Sequence, residues 1–297
     1  MTATMTRAAP LLLTAEGWRD YALLDSGGGA KLERFGPYSV IRPEPQAVWS
    51  RARDAADWDG AEARFEGADD SASRWAFAGA APAPFNMHYG EVAFEARFTA
   101  FRHLGVFPEQ AVHWDWMRDR IAGAGRPVKV LNLFAYTGVA SLIAAAAGAE
   151  VTHLDASKKA ITWANRNQAL SGLDDAPIRW ICDDALKFLR REVRRGSRYD
   201  GVLLDPPKYG RGTKGEVWQI FEHLPELLSL CRQVLSDDAL FLVATVYAIR
   251  LSSLSLHEGV TEALADLPGH LESGEMGVRD AAGRALASAV FSRWARV

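Results

Sequence analysis

Cysteine is nearly absent from this chain. Cys182 and Cys231 are the only two in 297 residues, which leaves no disulfide framework and no finger-type metal spacing. A reducing compartment, the cytoplasm, is the expectation. An excess of positive charge is also lacking. Lys and Arg number 34 against 37 Asp and Glu, a formal net charge of −3. A globally basic nucleic-acid binder is therefore not indicated, and only a local basic patch remains open. Long hydrophobic runs are missing as well. The apolar start at Ala8–Leu13 is short for a signal core, and the alanine-rich stretch Ser141–Val151 reads as a helix running into a strand. Neither a leader nor a membrane span is expected. There is no internal repeat and no low-complexity tract. His88, His103, His113 and His153 are scattered without metal-ligand spacing, so no metal site is expected. What remains is 48% hydrophobic and 24% charged, with length for one large α/β domain and a smaller one.

The chain has two textures, divided near residue 107. Residues 1–107 are turn-rich and β-rich, an α+β pattern. Tyr21–Phe35 reads as strand, glycine turn, strand, with Gly27-Gly28-Gly29 as the hairpin turn. Ser39–Arg42, Glu62–Glu66 and Val92–Phe98 read as further strands. From 108 to 297 strands alternate with helices. The strands are Val128–Leu133, Glu150–Leu154, Ile178–Cys182, Val202–Leu204 and Ala239–Thr245. The helices are Glu109–Ala122, Val139–Gly148, Ser157–Ser171, Ala185–Arg195 and most of Glu216–Leu235. Such alternation implies right-handed crossovers and a parallel, Rossmann-like sheet. Ligands of such sheets sit beyond the carboxyl ends of the strands, at the switch point.

The informative motifs all fall at those ends. After the fourth strand comes Asp205-Pro206-Pro207-Lys208-Tyr209. Each proline fixes its own φ and removes a backbone donor. The turn is stiff and presents carbonyls beside a carboxylate, a suitable acceptor for an amino group. After the first strand comes Asn132-Leu133-Phe134-Ala135-Tyr136-Thr137-Gly138. Phe134 and Tyr136 stand where a dinucleotide loop needs glycine, and only Gly138 survives. The loop suits a ligand with no phosphate there, of which S-adenosylmethionine is one. Asp155-Ala156-Ser157 ends the second strand, with the acid placed for two ribose hydroxyls and Ser157 at a helix N-cap. Asp183-Asp184-Ala185 ends the third. One acid there can accept from an adenine amino group, Asp184 being favoured and Asp183 the substitute, while one of the pair caps the following helix.

Together these residues resemble the class I S-adenosylmethionine-dependent methyltransferases, and most closely the large-subunit ribosomal RNA enzymes among them. The resemblance covers roughly Phe98–Thr245 and includes Gly105-Val106-Phe107-Pro108-Glu109-Gln110, which in relatives closes over the cofactor. It implies S-adenosylmethionine as cofactor and S-adenosylhomocysteine as product. Phe107, Gln110, Asn132, Phe134, Tyr136, Thr137, Gly138, Asp155, Ala156, Ser157, Asp183, Asp184 and Ala185 would hold the cofactor. Asp205, Pro206, Pro207 and Tyr209 would hold the acceptor base, with Tyr209 stacking on it. Lys208, Arg211 and Lys214 would contact a substrate phosphate on a stretch that Gly210, Gly212 and Gly215 make mobile.

Two departures refine this expectation. Relatives that methylate cytosine carbon-5 need a cysteine nucleophile after the fifth strand, and Val243-Ala244-Thr245-Val246-Tyr247 has none. Nitrogen methylation is the expectation instead. The amino-terminal region is also too short for the extra RNA-binding domain of many relatives as well as a small β-rich domain. RNA, ribosomal RNA first, is the expected partner. A protein or small-molecule acceptor is the alternative, as is a non-catalytic cofactor-binding module that assists a partner. A basic run, Lys187, Arg190, Arg191, Arg194, Arg195 and Arg198, reads either as a phosphate grip or as a solvated helix face.

Overall fold

Glycine-turned hairpins build the first part of the chain. The computed structural model describes residues 9–67, 74–247 and 250–297. Its early elements are β1 (Leu11–Ala15), β2 (Tyr21–Gly27), β3 (Ala30–Phe35), β4 (Tyr38–Pro43), α1 (Ala55–Asp59), β5 (Ala63–Glu66), β6 (Arg74–Phe77), β7 (Phe85–Tyr89) and β8 (Val92–Ala96). Strands β2 to β6 form one sheet in sequence order, and β7–β8 form a separate hairpin. The turn at Gly27–Gly29 closes the β2–β3 hairpin, with Gly27 paired to Ala30. Of the apolar start, residue 8 lies outside the described residues, and Leu11–Leu13 enter β1.

The second series comprises α2 (Ala111–Ala122), β9 (Lys129–Leu133), α3 (Val139–Ala146), β10 (Glu150–Asp155), α4 (Lys158–Leu170), β11 (Ile178–Cys182) and α5 (Ala185–Arg195). Then come β12 (Gly201–Leu204), β13 (Tyr209–Arg211), β14 (Val217–Gln219), α6 (Ile220–Val234), β15 (Phe241–Tyr247), α7 (Ser253–Ala263), β16 (His270–Arg279) and β17 (Ala285–Ala295). The large sheet runs β1-β16-β17-β15-β12-β9-β10-β11. Its β15-β12-β9-β10-β11 portion is parallel, while β17 lies antiparallel to β15. Strand order reverses between β9 and β12, so the switch point lies there.

The chain divides into two compact units. One holds 113–276 and 288–297 with the residues up to Leu13. The other holds Thr14–Val112 and Gly277–Ala287. The 107/108 division expected from texture thus falls inside the segment Thr14–Val112, which also recruits the outer half of the β16–β17 hairpin. In that smaller unit Arg284 bonds the buried Asp25 at 2.5 Å and Asp280 at 2.8 Å. Asp25 also accepts the Trp58 indole N–H at 2.9 Å. A buried carboxylate needs such partners, because leaving it unpaired would cost several kcal/mol.

In the larger unit, Leu131, Leu133, Leu154, Phe188, Val202, Leu204, Leu227 and Leu242 pack into one core. These strands are buried on both faces, which is why they read as continuous apolar runs. One sequence expectation changes. Most of Glu216–Leu235 is helical, as α6 (Ile220–Val234), but Val217–Gln219 pairs antiparallel with Tyr209–Arg211 before it begins. The stretch carrying Lys208, Arg211 and Lys214, expected as a glycine-loosened loop, is therefore a two-stranded hairpin. Local periodicity cannot reveal a three-residue strand that exists only through its partner.

Candidate functional site

Register brings the motifs together. Leu133 of β9 pairs with Leu204 of β12 on one side and Leu154 of β10 on the other. Leu204 also pairs with Ala244 of β15, and Asp155 with Cys182. The next residues out are Phe134, Asp205, Asp155, Thr245 and Asp183. With strands about 4.8 Å apart, the cofactor loop and the Asp205 turn leave the sheet as immediate neighbours at its switch point.

The β9–α3 loop is strained. Phe134 (φ 56°) and Tyr136 (φ 50°) are the two non-glycine residues with positive φ among those described, and Gly138 (φ 85°) follows. Each left-handed non-glycine residue costs on the order of 1–2 kcal/mol. Surrounding bonds impose the conformation. The Ala135 amide donates to the Leu154 carbonyl at 3.0 Å, and the Gly138 amide to the Ala135 carbonyl at 3.0 Å. Asn167 Nδ2 donates to the Thr137 carbonyl at 2.9 Å. The Phe134 ring packs on Trp218 with centroids 5.2 Å apart, and Tyr136 meets Trp163 edge-on at 6.0 Å. Gly138 is required twice over, because a Cβ there would stand 2.9 Å from Ala164 Cβ.

Asn132 lies beneath this loop. It is buried, and its Nδ2 donates to Ser141 Oγ at 3.0 Å. Ser141 Oγ in turn meets His153 Nδ1 at 2.9 Å. Burial pushes the His153 imidazole down to about 3, so it is neutral. Asn132 thus ties β9 to α3 through its amide nitrogen.

Asp155 faces the loop from β10. Its Oδ2 accepts the Tyr136 amide at 2.9 Å and its Oδ1 the Ser157 amide at 2.7 Å. With one amide on each oxygen, a lone pair remains on each for a pair of hydroxyls. Burial pushes the carboxyl above the usual aspartate range, although both amides pull it back. Ser157 caps α4 by accepting the Ala160 amide at 3.3 Å, and the Ala156 carbonyl lies 3.7 Å from Cys182 Sγ.

Both acids after β11 have structural partners. Asp184 caps α5, accepting the Lys187 amide at 2.9 Å. Asp183 accepts the Asp184 amide at 2.9 Å and Arg191 Nη1 at 2.5 Å. Burial would raise the Asp183 carboxyl, but the Arg191 guanidinium and the Asp184 amide hold it below the usual range. Ala185 is buried in the core.

In the Asp205–Tyr209 turn Pro206 is buried, Asp205 half-buried, and Pro207, Lys208 and Tyr209 exposed. The Pro207 carbonyl accepts the Trp218 indole N–H at 2.6 Å. Trp218 is 4% exposed and stacks on His223 on its other side, at 5.5 Å. One indole thus touches both the turn after β12 and the β9–α3 loop. The sequence reading missed it, and a single tryptophan between Val217 and Gln219 carried no signal without the hairpin. Phe107 and Gln110 belong to the smaller unit, where the Gln110 amide bonds the Phe107 carbonyl at 3.0 Å.

The basic run on α5 is largely neutralised within its own unit. Arg190 pairs with Glu226 at 2.6 Å, Arg191 with Asp183 at 2.5 Å and Arg195 with Glu192 at 3.0 Å. Lys187 lies 3.8 Å from both Asp183 and Glu216. The solvated-face reading describes it better than a phosphate grip. Among the described residues no cluster of His, Cys, Asp and Glu could hold a metal, and no helix is long and apolar enough to cross a membrane.

A parallel sheet with this strand order, a glycine-poor loop at the switch point and an acid one unit further on defines an α/β enzyme for a nucleoside cofactor without pyrophosphate. The chain belongs to the S-adenosylmethionine-dependent methyltransferase family, whose profile matches residues 58–241. The crystal structure of a SAM-dependent methyltransferase from Agrobacterium tumefaciens is 53% identical, with a TM-score of 0.94 over 98% of this chain and 95% of that one. A structure from Streptococcus mutans, 17% identical with a TM-score of 0.73 over 93% of this chain and 75% of that one, shares the fold. Among curated relatives, ribosomal RNA large subunit methyltransferase K/L of Shewanella frigidimarina is 33% identical over 147 residues, 49% of this chain and 20% of that protein. Ribosomal RNA large subunit methyltransferase I of Shewanella denitrificans is 43% identical over 96 residues, 31% of this chain and 24% of that protein. The chain spans only a fifth to a quarter of the length of these curated relatives.

The donor set fits the family's cofactor. The Asp155 oxygens each keep an acceptor position, and the left-handed Phe134 and Tyr136 put side chains where a pyrophosphate would need bare backbone. The protein is an S-adenosylmethionine-dependent methyltransferase.

Proposed function

We propose that this enzyme methylates a nitrogen of an RNA base, with ribosomal RNA as the first substrate to examine. The observation that carries the reading is the Asp205-Pro206-Pro207 turn leaving β12 beside the β9–α3 loop, through the Leu204–Leu133 pairing. S-adenosylmethionine supplies a methyl group already activated on a sulfonium. The chain's own residues then need mainly to align an acceptor lone pair with that methyl. Asp155 receives the two ribose hydroxyls, while Phe134, Tyr136, Thr137 and Gly138 border the methionine end. Asp184 or Asp183 accepts the adenine amino group with an oxygen lone pair beyond its present bonds. Asp205 orients the acceptor amine and takes up its proton as the N–C bond forms and the S–C bond to the sulfonium breaks, the electron pair staying on the thioether sulfur that leaves. The Pro206 carbonyl, which makes no hydrogen bond among the described residues, is a second acceptor for that amine. Tyr209 stacks on the base.

Nitrogen is favoured over carbon-5 by the cysteines. Val243–Tyr247 of β15 contains none, and Cys231 is buried in α6, where desolvation pushes its thiol far above the ordinary range. Burial also raises the Cys182 thiol, and it sits beside Asp155 rather than Asp205. RNA is supported by the ribosomal RNA methyltransferases among the relatives. The test is transfer of labelled methyl from S-adenosylmethionine to total RNA and to total protein, each digested afterwards. Label in an N-methylated nucleoside is expected. Label confined to protein, or a 5-methylcytidine product, would overturn the reading.

A further inference from the structure

The β13–β14 hairpin has two unlike faces. Side chains alternate along a strand, and the cross-strand pairs are Tyr209–Gln219, Gly210–Trp218 and Arg211–Val217. Gly210 and Trp218 therefore share one face, the one that packs on Pro207 and Phe134. Tyr209, Arg211, Val217 and Gln219 share the other. That second face is open: Tyr209 is 53% exposed and Val217 46%, with Arg211 and Gln219 also exposed. Phe221, 61% exposed, follows on the first turn of α6.

The charge of this element differs from that of the protein. From Pro206 to Phe221 there are three bases, Lys208, Arg211 and Lys214, against the single acid Glu216, in a chain of net charge −3. Glu216 is already committed, accepting the Lys214 amide at 2.8 Å and lying 3.8 Å from Lys187. Lys208, Arg211 and Lys214 make no ion pair among the described residues. The contrast with α5 is sharp, because its cations are mostly paired. Two exposed rings, Tyr209 and Phe221, and three cations without ion pairs thus fall within one short element that follows Pro206.

We propose that this outward face, with Phe221, is a docking surface for the single-stranded nucleotides that flank the acceptor base. This rests on the RNA reading above. Arg211 and Lys214 meet phosphates, and Phe221 offers a ring on which a neighbouring base stacks, as in sequence-tolerant single-strand binders. Val217 gives the flanking base an apolar floor. An acidic peptide would satisfy the cations but leave the rings without a planar partner. The buried side of the same hairpin keeps the platform in register with the acceptor turn through the Trp218–Pro207 bond.

The test uses the full chain and a fluorescein-labelled single-stranded RNA of mixed sequence. Fluorescence anisotropy follows binding at low and high salt, and calorimetry follows S-adenosylmethionine binding in parallel. Arg211→Ala with Lys214→Ala should weaken RNA binding by about tenfold or more at low salt and lower the salt slope by about 1.4. Phe221→Ala should weaken it less and leave the slope unchanged. Cofactor affinity and melting temperature should stay at wild-type values in all variants. If the wild type binds and methylates RNA but these variants match it, the docking surface is wrong and the RNA reading stands. If the wild type binds no RNA and methylates only protein, both fall.

Discussion

The Trp218 indole donates its N–H to the Pro207 carbonyl at 2.6 Å while its ring packs on Phe134 at 5.2 Å. A single side chain therefore links the Asp205-Pro206-Pro207 turn to the β9–α3 loop. Trp218→Phe keeps a ring and removes the N–H. Losing one such hydrogen bond is worth about 1 kcal/mol, and a loosened reacting geometry adds to it. The expected outcome is a fall in kcat of roughly tenfold, with cofactor affinity within about twofold of wild type. A Trp218→Phe enzyme with unchanged kcat would show that the bond only holds the hairpin in place.

Asp155 should govern cofactor affinity. Two hydroxyl bonds to a carboxylate are each worth about 1.5–3 kcal/mol, so Asp155→Ala should weaken binding by roughly a hundredfold or more in titration calorimetry. A pH series tests the same group without mutation. Burial raises the folded carboxyl above the ordinary aspartate range, and only the ionised form offers both oxygens as acceptors. Affinity should be flat near neutrality and decline on acidification sooner than an exposed aspartate would dictate.

Asp205→Asn should separate chemistry from binding. The amide keeps the shape of the turn but cannot take up a proton. Methyl transfer should drop by about 10²–10⁴-fold while cofactor affinity stays near wild type. Equal losses in both would mean that Asp205 holds the loop, not the acceptor.

Two buried histidines make stability acid-sensitive. Burial pushes His113 and His153 down to about 3, whereas an unfolded histidine titrates near 6.5. Below that value the unfolded chain takes up protons that the folded one refuses. Stability should therefore be full above pH ~6.5 and decline toward pH 3 by about 1.4 kcal/mol per pH unit for each histidine. Denaturant melts between pH 7 and 5 measure this slope, and His153→Gln should reduce it, with His113 and His103, which burial also holds below the ordinary range, carrying the remainder. A midpoint constant over that range would contradict the assignment of neutral, buried rings.

Much of the parallel half was legible in the sequence. β9, β10 and β12 are short strands buried almost throughout, while the edge strand β11 is half-buried, and the punctuation of all four placed Phe134, Asp155, Asp183 and Asp205 at strand ends. The ends differ by a residue or two: β10 reaches Asp155 and β15 runs to Tyr247. What the sequence could not carry were relations between distant segments. Trp218 matters because three residues pair with Tyr209–Arg211. Asn132 has the right place in its motif for a ligand contact, yet its partner is Ser141, since a buried amide takes the nearest hydroxyl. Asp184 has the chemistry of a recognition acid and the position of an N-cap, and one carboxylate has lone pairs for both.

The bond between Asp25 and Arg284 spans 259 positions of chain. Synthesis runs from the amino end at about 5–20 residues per second. Asp25, Ser26 and the Trp58 indole are thus made long before Arg284 and Asp280 that complete their buried network. The buried network of the smaller unit is therefore complete only once Asp280 and Arg284 have been made. A chain halted before Arg284 would leave the Asp25 carboxylate without its guanidinium partner.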